Sequence, residues 1–139
     1  MKNTKYLFLA LAIILSGLAS SMLMSNSNKQ SNYVKVVYFH TDYRCATCTK
    51  LEKYSEETVE KYFANELKSG KIVWESINYE EEKNEHYIDK FNLYNKSLIL
   101  MKYENGKLKE WKNLEKIWEL VSNKSKYVDY VKKEIKKYQ

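Results

Sequence analysis

Cys45 and Cys48 are the only cysteines in the chain, and two residues separate them. They follow a β-branched and aromatic run at 34–39 and precede apolar residues at helical spacing, so they fall between a predicted strand and the first turn of a predicted helix. Only a thiolate attacks a disulfide, and the unpaired N–H groups at a helix N-terminus favour that anion. The pattern predicts a redox-active pair in which Cys45 is the exposed nucleophile and Cys48 resolves the mixed disulfide.

Three neighbours could tune this chemistry. Arg44 places a fixed positive charge beside Cys45, and Tyr43 could form an aromatic wall next to the pair. His40 ends the predicted strand, and we expect it to act as a polar strand end rather than as a base. These residues are therefore predicted to support the thiol chemistry.

Other roles for the cysteines remain open at this point. A structural disulfide would close a very short loop and would constrain the unfolded chain little. As an alternative to redox chemistry, Cys45, Cys48 and His40 or His86 could bind a soft ion such as Cu(I) or arsenite. In a third interpretation the protein is an adaptor whose cysteines are incidental. No cofactor is predicted, because the sequence contains no flavin or nicotinamide fingerprint.

The first residues have the pattern of an export signal. Lys2 and Lys5 precede an uncharged run at 6–24, and small residues close it. The run is also just long enough to span a membrane, so residues 1–24 are predicted to be a signal peptide or a membrane anchor. Positive charge on its N-terminal side would leave the rest of the chain outside the cytoplasm in either case. We expect the protein to be secreted, periplasmic or anchored facing outward.

The remaining chain divides into a polar linker at 25–32 and one domain at 33–139. The formal net charge is +6, and part of it lies in the leader and linker. Lysines and glutamates are mixed along the domain, and no basic block is interleaved with aromatic residues. Nucleic-acid binding is therefore not predicted. The sequence gives no indication of the oligomeric state.

Hydrophobic spacing and turn residues predict the elements of this domain. Strands are expected at 34–39, 72–79, 97–103 and 108–111, the last two joined by a turn at Asn105–Gly106. A helix is expected after Cys48, with a break at Ser55 and an end at Ser69–Gly70. A second is expected at 80–94 with Tyr94 facing inward, a third after Asn113 as its cap, and a last one around 127–135. Trp74, Trp111 and Trp118 are expected in the core. A right-handed crossover makes the first two strands parallel, which predicts an α/β domain with a mixed four-stranded sheet flanked by helices.

The segment 37–48 resembles the thioredoxin-like superfamily. It is more closely similar to a bacterial exported family known as the ArsF-type nitrophenyl compound nitroreductase subunit, in which Arg-Cys-x-Thr-Cys follows a strand ending in Tyr-Phe-His. The resemblance implies a thioredoxin-like fold and a protein disulfide or dithiol as substrate. It also implies a polytopic membrane thiol carrier as a source of electrons. No residue of this chain supports a nitroreductase activity.

The chain departs from thioredoxins before the third strand, where they carry a cis-proline. This sequence contains no proline, and Ser97, or by position Leu98, takes that place. A non-proline cis bond costs about 3–4 kcal/mol, so a trans bond and a strained bond are both open alternatives.

A second departure concerns the buried aspartate that thioredoxins place under the cysteine pair. The corresponding strand end here is Tyr38-Phe39, which cannot take a proton in that way. Glu75, His40 and Asp42 are the candidates to replace it.

Overall fold

The computed structural model of the chain describes residues 32–139. The leader predicted at 1–24 and the linker residues 25–31 lie outside the described residues. Within the described part, no helix is long and apolar enough to cross a membrane.

Four strands form one mixed sheet, as predicted. They are β1 (Tyr33–His40), β2 (Ile72–Asn78), β3 (Ser97–Glu104) and β4 (Lys107–Asn113), in the spatial order β2-β1-β3-β4. β1 is parallel to β2 and antiparallel to β3, and β3 is antiparallel to β4. The turn between β3 and β4 has positive φ at Asn105 (51°) and Gly106 (73°), which confirms the predicted hairpin.

Five α-helices flank the sheet within residues 32–139. They are α1 (Ala46–Tyr62), α2 (Ala64–Ser69), α3 (His86–Phe91), α4 (Ile117–Leu120) and α5 (Lys124–Tyr138), and a short 3-10 helix spans Glu82–Asn84. Helices α1 and α5 pack on one face of the sheet, where their side chains share a core with Val36, Tyr38 and Leu100. On the other face Val37 and Phe39 pack with Phe91 of α3. Because both faces of β1 are covered, its residues from 36 to 39 are all buried.

Helix α1 is continuous through Ser55, so the predicted break there is wrong. Ser55 is fully buried, and its Oγ donates to the Leu51 carbonyl at 2.8 Å and lies 2.7 Å from the Tyr127 hydroxyl on α5. The side chain thus bonds back along α1 and lies against α5, and it caps no new helix. The chain breaks instead at Phe63, whose side chain enters the core, and α2 ends at Gly70 (φ 73°) as predicted.

The helix predicted at 80–94 is largely absent. In its place are a 3-10 turn and the six residues of α3. Asn92, whose backbone is in the left-handed region (φ 50°), ends α3. Phe91 is buried, but Tyr94 lies beyond the helix and is 89% exposed. The inward placement of Tyr94 is therefore wrong.

Two further predictions around β4 are also wrong. Asn113 is the last residue of β4, paired with Ile99, and does not cap a helix. Trp111 and Trp118 are each 37% exposed, so they are not core residues. Trp118 keeps its ring at the surface because its Nε1 donates to the Lys96 carbonyl at 3.1 Å.

A buried carboxylate ties α5 to β4. Glu134 is 5% exposed, and it accepts hydrogen bonds from Lys112 at 2.7 Å and from Lys137 at 2.5 Å. Burial by itself would raise the pKa of Glu134, but the bonds from the two lysines outweigh it and hold the pKa below its usual value.

Glu134→Gln should lower the free energy of unfolding at pH 7 by about 1–2 kcal/mol, because the buried ion pairs are lost. A carboxyl whose pKa is lowered in the folded state stabilises the fold above its unfolded pKa, and this contribution disappears as the pH falls through the folded pKa. The difference in the free energy of unfolding between wild type and variant should therefore shrink on acidification below about pH 4.5 in urea titrations.

Asp129→Asn, which breaks an exposed pair with Lys132 on the same helix, is the control and should change the free energy of unfolding by less than about 0.5 kcal/mol. A constant difference from pH 7 to pH 3 would contradict this account.

Candidate redox site

The cysteine pair lies at the first turn of α1. Cys45 and Cys48 form a disulfide with an S–S distance of 2.13 Å and a Cα–Cα distance of 5.0 Å. Cys45 is the N-cap residue of α1, and its Sγ accepts the backbone N–H of Cys48 at 3.1 Å. A thiolate on Cys45 would therefore accept a backbone N–H that has no partner within the helix, at the positive end of the helix.

The two cysteines differ in exposure to solvent. Cys45 is partly exposed, whereas Cys48 is 2% exposed and is, like Leu51, one of the buried residues of α1. Cys45 is therefore the more accessible of the two residues to a partner. This difference agrees with the predicted assignment of Cys45 as nucleophile and Cys48 as resolving thiol, which stays a prediction.

Tyr38 lies beneath the first turn of α1. It is fully buried, and its hydroxyl donates to the Cys48 carbonyl at 2.9 Å. Burial raises the pKa of Tyr38 far above its usual range, so the hydroxyl stays protonated. At the strand end where the resemblance would place an aspartate, this chain therefore has a neutral donor that attaches α1 to β1.

Glu75, one predicted replacement for that aspartate, makes other contacts. It forms an ion pair with Lys35 of β1 at 2.6 Å. Its neighbour Ser76 faces α1, and successive side chains of a strand alternate, so Glu75 is on the opposite face of the sheet from the cysteines.

The other two candidates, His40 and Asp42, lie near the end of β1, and each contacts a neighbouring polar group. The Asp42 carboxylate accepts a hydrogen bond from Asn78 at 2.6 Å, and His40 Nδ1 lies 3.0 Å from the Thr41 carbonyl oxygen.

In residues 32–139, no three side chains of the His, Cys, Asp and Glu types are placed to hold a metal ion. The alternative ligand set of Cys45, Cys48 and His40 is therefore not assembled in this disulfide form.

Arg44 has a partner that the sequence analysis missed. Its guanidinium forms an ion pair with Glu52 of α1, and the other carboxylate oxygen of Glu52 accepts the Ser76 hydroxyl of β2 at 2.5 Å. The signal was present in the spacing, because Glu52 follows Cys48 by four residues and Cys45 by seven, which puts all three on one helix face.

Ser97 begins β3, directly opposite Phe39 of β1. It is buried, and its Oγ donates to the Asn95 carbonyl at 2.9 Å. Every peptide bond from residue 32 to 139 is trans, so the bonds before Ser97 and Leu98 are trans. Of the two alternatives left open by the sequence, the trans bond is the one present.

Exposed side chains surround this end of the sheet. Tyr43 is 74% exposed, and Lys96 Nζ lies 5.6 Å from the centroid of its ring. A groove of about 220 Å³ begins at Ser97, next to Lys96, and is lined by Asn92, Tyr94, Asn95, Ser97, Asn113, Glu115 and Trp118. These residues offer aromatic groups, amide groups and one carboxylate to a partner.

Several solved structures are similar to this chain. Oxidized thioredoxin O2 from Arabidopsis thaliana has a TM-score of 0.41 and 18% identity, over 68% of this chain and 74% of that one. Oxidised thioredoxin from Plasmodium falciparum has a TM-score of 0.41 and 19% identity, over 70% of this chain and 83% of that one. The first two thioredoxin domains of Eps1p from Naumovozyma dairenensis have a TM-score of 0.41 and 22% identity, over 70% of this chain and 35% of that one. No protein-family model and no curated protein matches the chain.

The chain's own topology defines its class. A parallel β1-α1-β2 crossover, an antiparallel β3-β4 hairpin beside β1, and a cysteine pair at the N-terminus of α1 give residues 32–139 a thioredoxin-like fold. The fold class predicted from the sequence is thereby confirmed.

Proposed function

We propose that this protein is an extracytoplasmic thiol–disulfide oxidoreductase that exchanges two electrons with partner proteins through Cys45 and Cys48. One observation carries the proposal. Cys45 is partly exposed and its Sγ accepts the Cys48 N–H at a helix N-terminus, while the buried Cys48 is disulfide-bonded to it. This is the arrangement that disulfide exchange requires.

The exchange has two steps when the pair acts as reductant. The Cys45 thiolate attacks one sulfur of a partner disulfide, whose S–S bond breaks, and the departing sulfur leaves as a thiolate that takes up a proton. Cys48 then loses its proton and attacks Cys45 Sγ, forming the Cys45–Cys48 disulfide and releasing the second partner thiol. Two electrons pass from the pair to the partner, and the oxidising direction is the reverse. The reduction potential of the pair sets the direction.

The surroundings of Cys45 support a protein as partner. Tyr43 projects an exposed ring from the loop before Cys45, and the groove beside Ser97 begins at the same end of the sheet. An extended segment of a partner protein could lie along this groove and present its disulfide to Cys45. Aromatic and amide groups suit such a contact, because they combine apolar area with hydrogen bonding.

The leader predicted at 1–24 supports a location outside the cytoplasm, and residues 6–24 are the part that could hold the protein at a membrane. Cytosolic reductants do not reach an exported thiol, so we propose a polytopic membrane thiol carrier as the electron source. The resemblance to the ArsF-type exported family supports both points. In spheroplasts, externally added protease should digest the protein and spare a cytoplasmic marker, and protection of the protein would contradict the location.

A redox titration of the purified full chain tests the activity. The Cys45–Cys48 disulfide should open and close reversibly across glutathione buffers, with both thiols reacting with maleimide in a single two-electron transition. A disulfide that stays closed at every buffer ratio would contradict the proposal. An inert disulfide together with stoichiometric binding of Cu(I) or arsenite by the chemically reduced pair would favour the metal-binding alternative.

A further inference from the structure

The geometry points to Glu52 as a positioning residue that holds and neutralises Arg44, and so sets how strongly the Cys45 thiolate is favoured. This inference rests on the proposed redox function and assigns a regulator to the same site. In this inference the equilibrium between the dithiol and the disulfide depends partly on an ion pair one turn along α1 from Cys48.

Both oxygens of Glu52 are engaged. Oε2 pairs with Arg44 Nη2, and Oε1 accepts the Ser76 hydroxyl at 2.5 Å. Ser76 lies on β2 in register with Tyr38, so the sheet fixes the carboxylate from below. The side chains of Arg44 and Glu52 are 31% and 21% exposed. Partial burial strengthens the interaction of their charges relative to bulk water.

Both the chain and the ion pair place Arg44 at the start of α1. Arg44 directly precedes Cys45, and its guanidinium pairs with Glu52, one turn along α1 from Cys48. The Tyr38 hydroxyl is bonded to the Cys48 carbonyl in the same turn. Burial raises the pKa of Tyr38, and the charge of Arg44 acts in the opposite direction on the same hydroxyl. The charge of Arg44 therefore reaches the first turn of α1, where a thiolate would form.

The consequence for the redox pair follows from where the guanidinium is held. While Glu52 fixes Arg44 in the ion pair, the guanidinium stays at the carboxylate, and the helix N-terminus supplies most of the stabilisation of the thiolate. Without the carboxylate, the guanidinium is free to turn towards Cys45 and stabilises the thiolate further. Because the thiolate belongs to the reduced form, this change favours the dithiol and makes the pair a stronger oxidant.

Glu52→Gln in the full chain tests the inference. The equilibrium constant for forming the Cys45–Cys48 disulfide from oxidised glutathione should fall about threefold or more, and the alkylation rate of reduced Cys45 at pH 6 should rise about threefold. Glu57→Gln is the matched control. It removes a carboxylate from the same helix, but one that pairs with Lys124 of α5, so both quantities should stay within about 1.5-fold of wild type.

Arg44→Gln tests whether the effect of Glu52 on the cysteine pair depends on Arg44. Arg44→Gln alone should shift both quantities in the direction opposite to Glu52→Gln. In the Arg44→Gln background, Glu52→Gln should shift the logarithm of the equilibrium constant by less than half as much as in wild type. Equal shifts in the two backgrounds, or equal effects of Glu52→Gln and Glu57→Gln, would overturn the inference. These outcomes leave the proposed function standing as long as the wild-type pair titrates reversibly, whereas loss of that titration would reject the function itself.

Discussion

Cys48→Ser should convert the transient mixed disulfide into a stable covalent adduct with the partner, and Cys45→Ser should abolish both the adduct and turnover. Cys45 is the partly exposed cysteine, so attack on a partner survives in the first variant, but that variant lacks the thiol that releases the partner. Incubation of the reduced full chain with a peptide containing one disulfide, followed by mass spectrometry without reductant, measures the adduct. Both variants should lose at least about a hundredfold in turnover.

Thr47→Ser is the matched control, because it alters the short segment between the cysteines and leaves both sulfurs in place. It should retain turnover and form no lasting adduct. Equal adducts from Cys45→Ser and Cys48→Ser would contradict the assignment of the nucleophile. Unchanged cellular function in Cys45→Ser would instead support an adaptor whose cysteines are incidental.

Tyr127→Ala should lower the free energy of unfolding by about 3–5 kcal/mol, the largest stability effect we expect from a single substitution. Tyr127 of α5 is fully buried, and its hydroxyl donates to the Leu51 carbonyl of α1 at 2.9 Å. Its ring also packs edge-on against Tyr54 at 5.6 Å. The variant leaves a cavity between the two helices and removes the bond that fastens α1, the helix that carries the cysteines.

Urea denaturation at pH 7 with the disulfide intact measures the effect. Tyr127→Phe, which keeps the ring and deletes the hydroxyl, should cost only about 1 kcal/mol. Tyr94→Ala removes a tyrosine that is 89% exposed and should change stability by less than about 0.5 kcal/mol. A Tyr127→Ala effect no larger than that of Tyr94→Ala would show that the α1–α5 contact does not hold the fold together.

The sequence determined those features that depend on neighbours in the chain. A β-branched and aromatic run produced β1, the pair Asn105–Gly106 produced a turn with two positive φ angles, and Gly70 ended α2. The start of α1 at the cysteine pair was equally readable, since the apolar spacing after Cys48 has the helical period. Local backbone preference and hydrophobic period act over a few residues, and one sequence is enough to show them.

Only the tertiary structure decided which distant groups meet. The sequence predicted a helix break at Ser55, but Ser55 packs against Tyr127, distant along the chain, and α1 is continuous. Tyr94 fitted a helical stripe, but Asn92 ends the helix before it and leaves it in solvent. For Ser55 a tertiary contact, and for Tyr94 the backbone conformation of Asn92, prevailed over the structure that the hydrophobic pattern and residue preferences predicted.

The same division holds for the candidate site. The sequence placed two thiols at a helix N-terminus, because that placement needs only a strand, a spacing and a helix. The spacing placed Glu52 on the helix face of the cysteines, but it did not reveal that Tyr38 would donate to Cys48 from below or that Ser76 would bond to Glu52. Those two contacts depend on the crossover that lays α1 over β1 and β2, and long-range packing of this kind has no signature in the spacing of neighbouring residues.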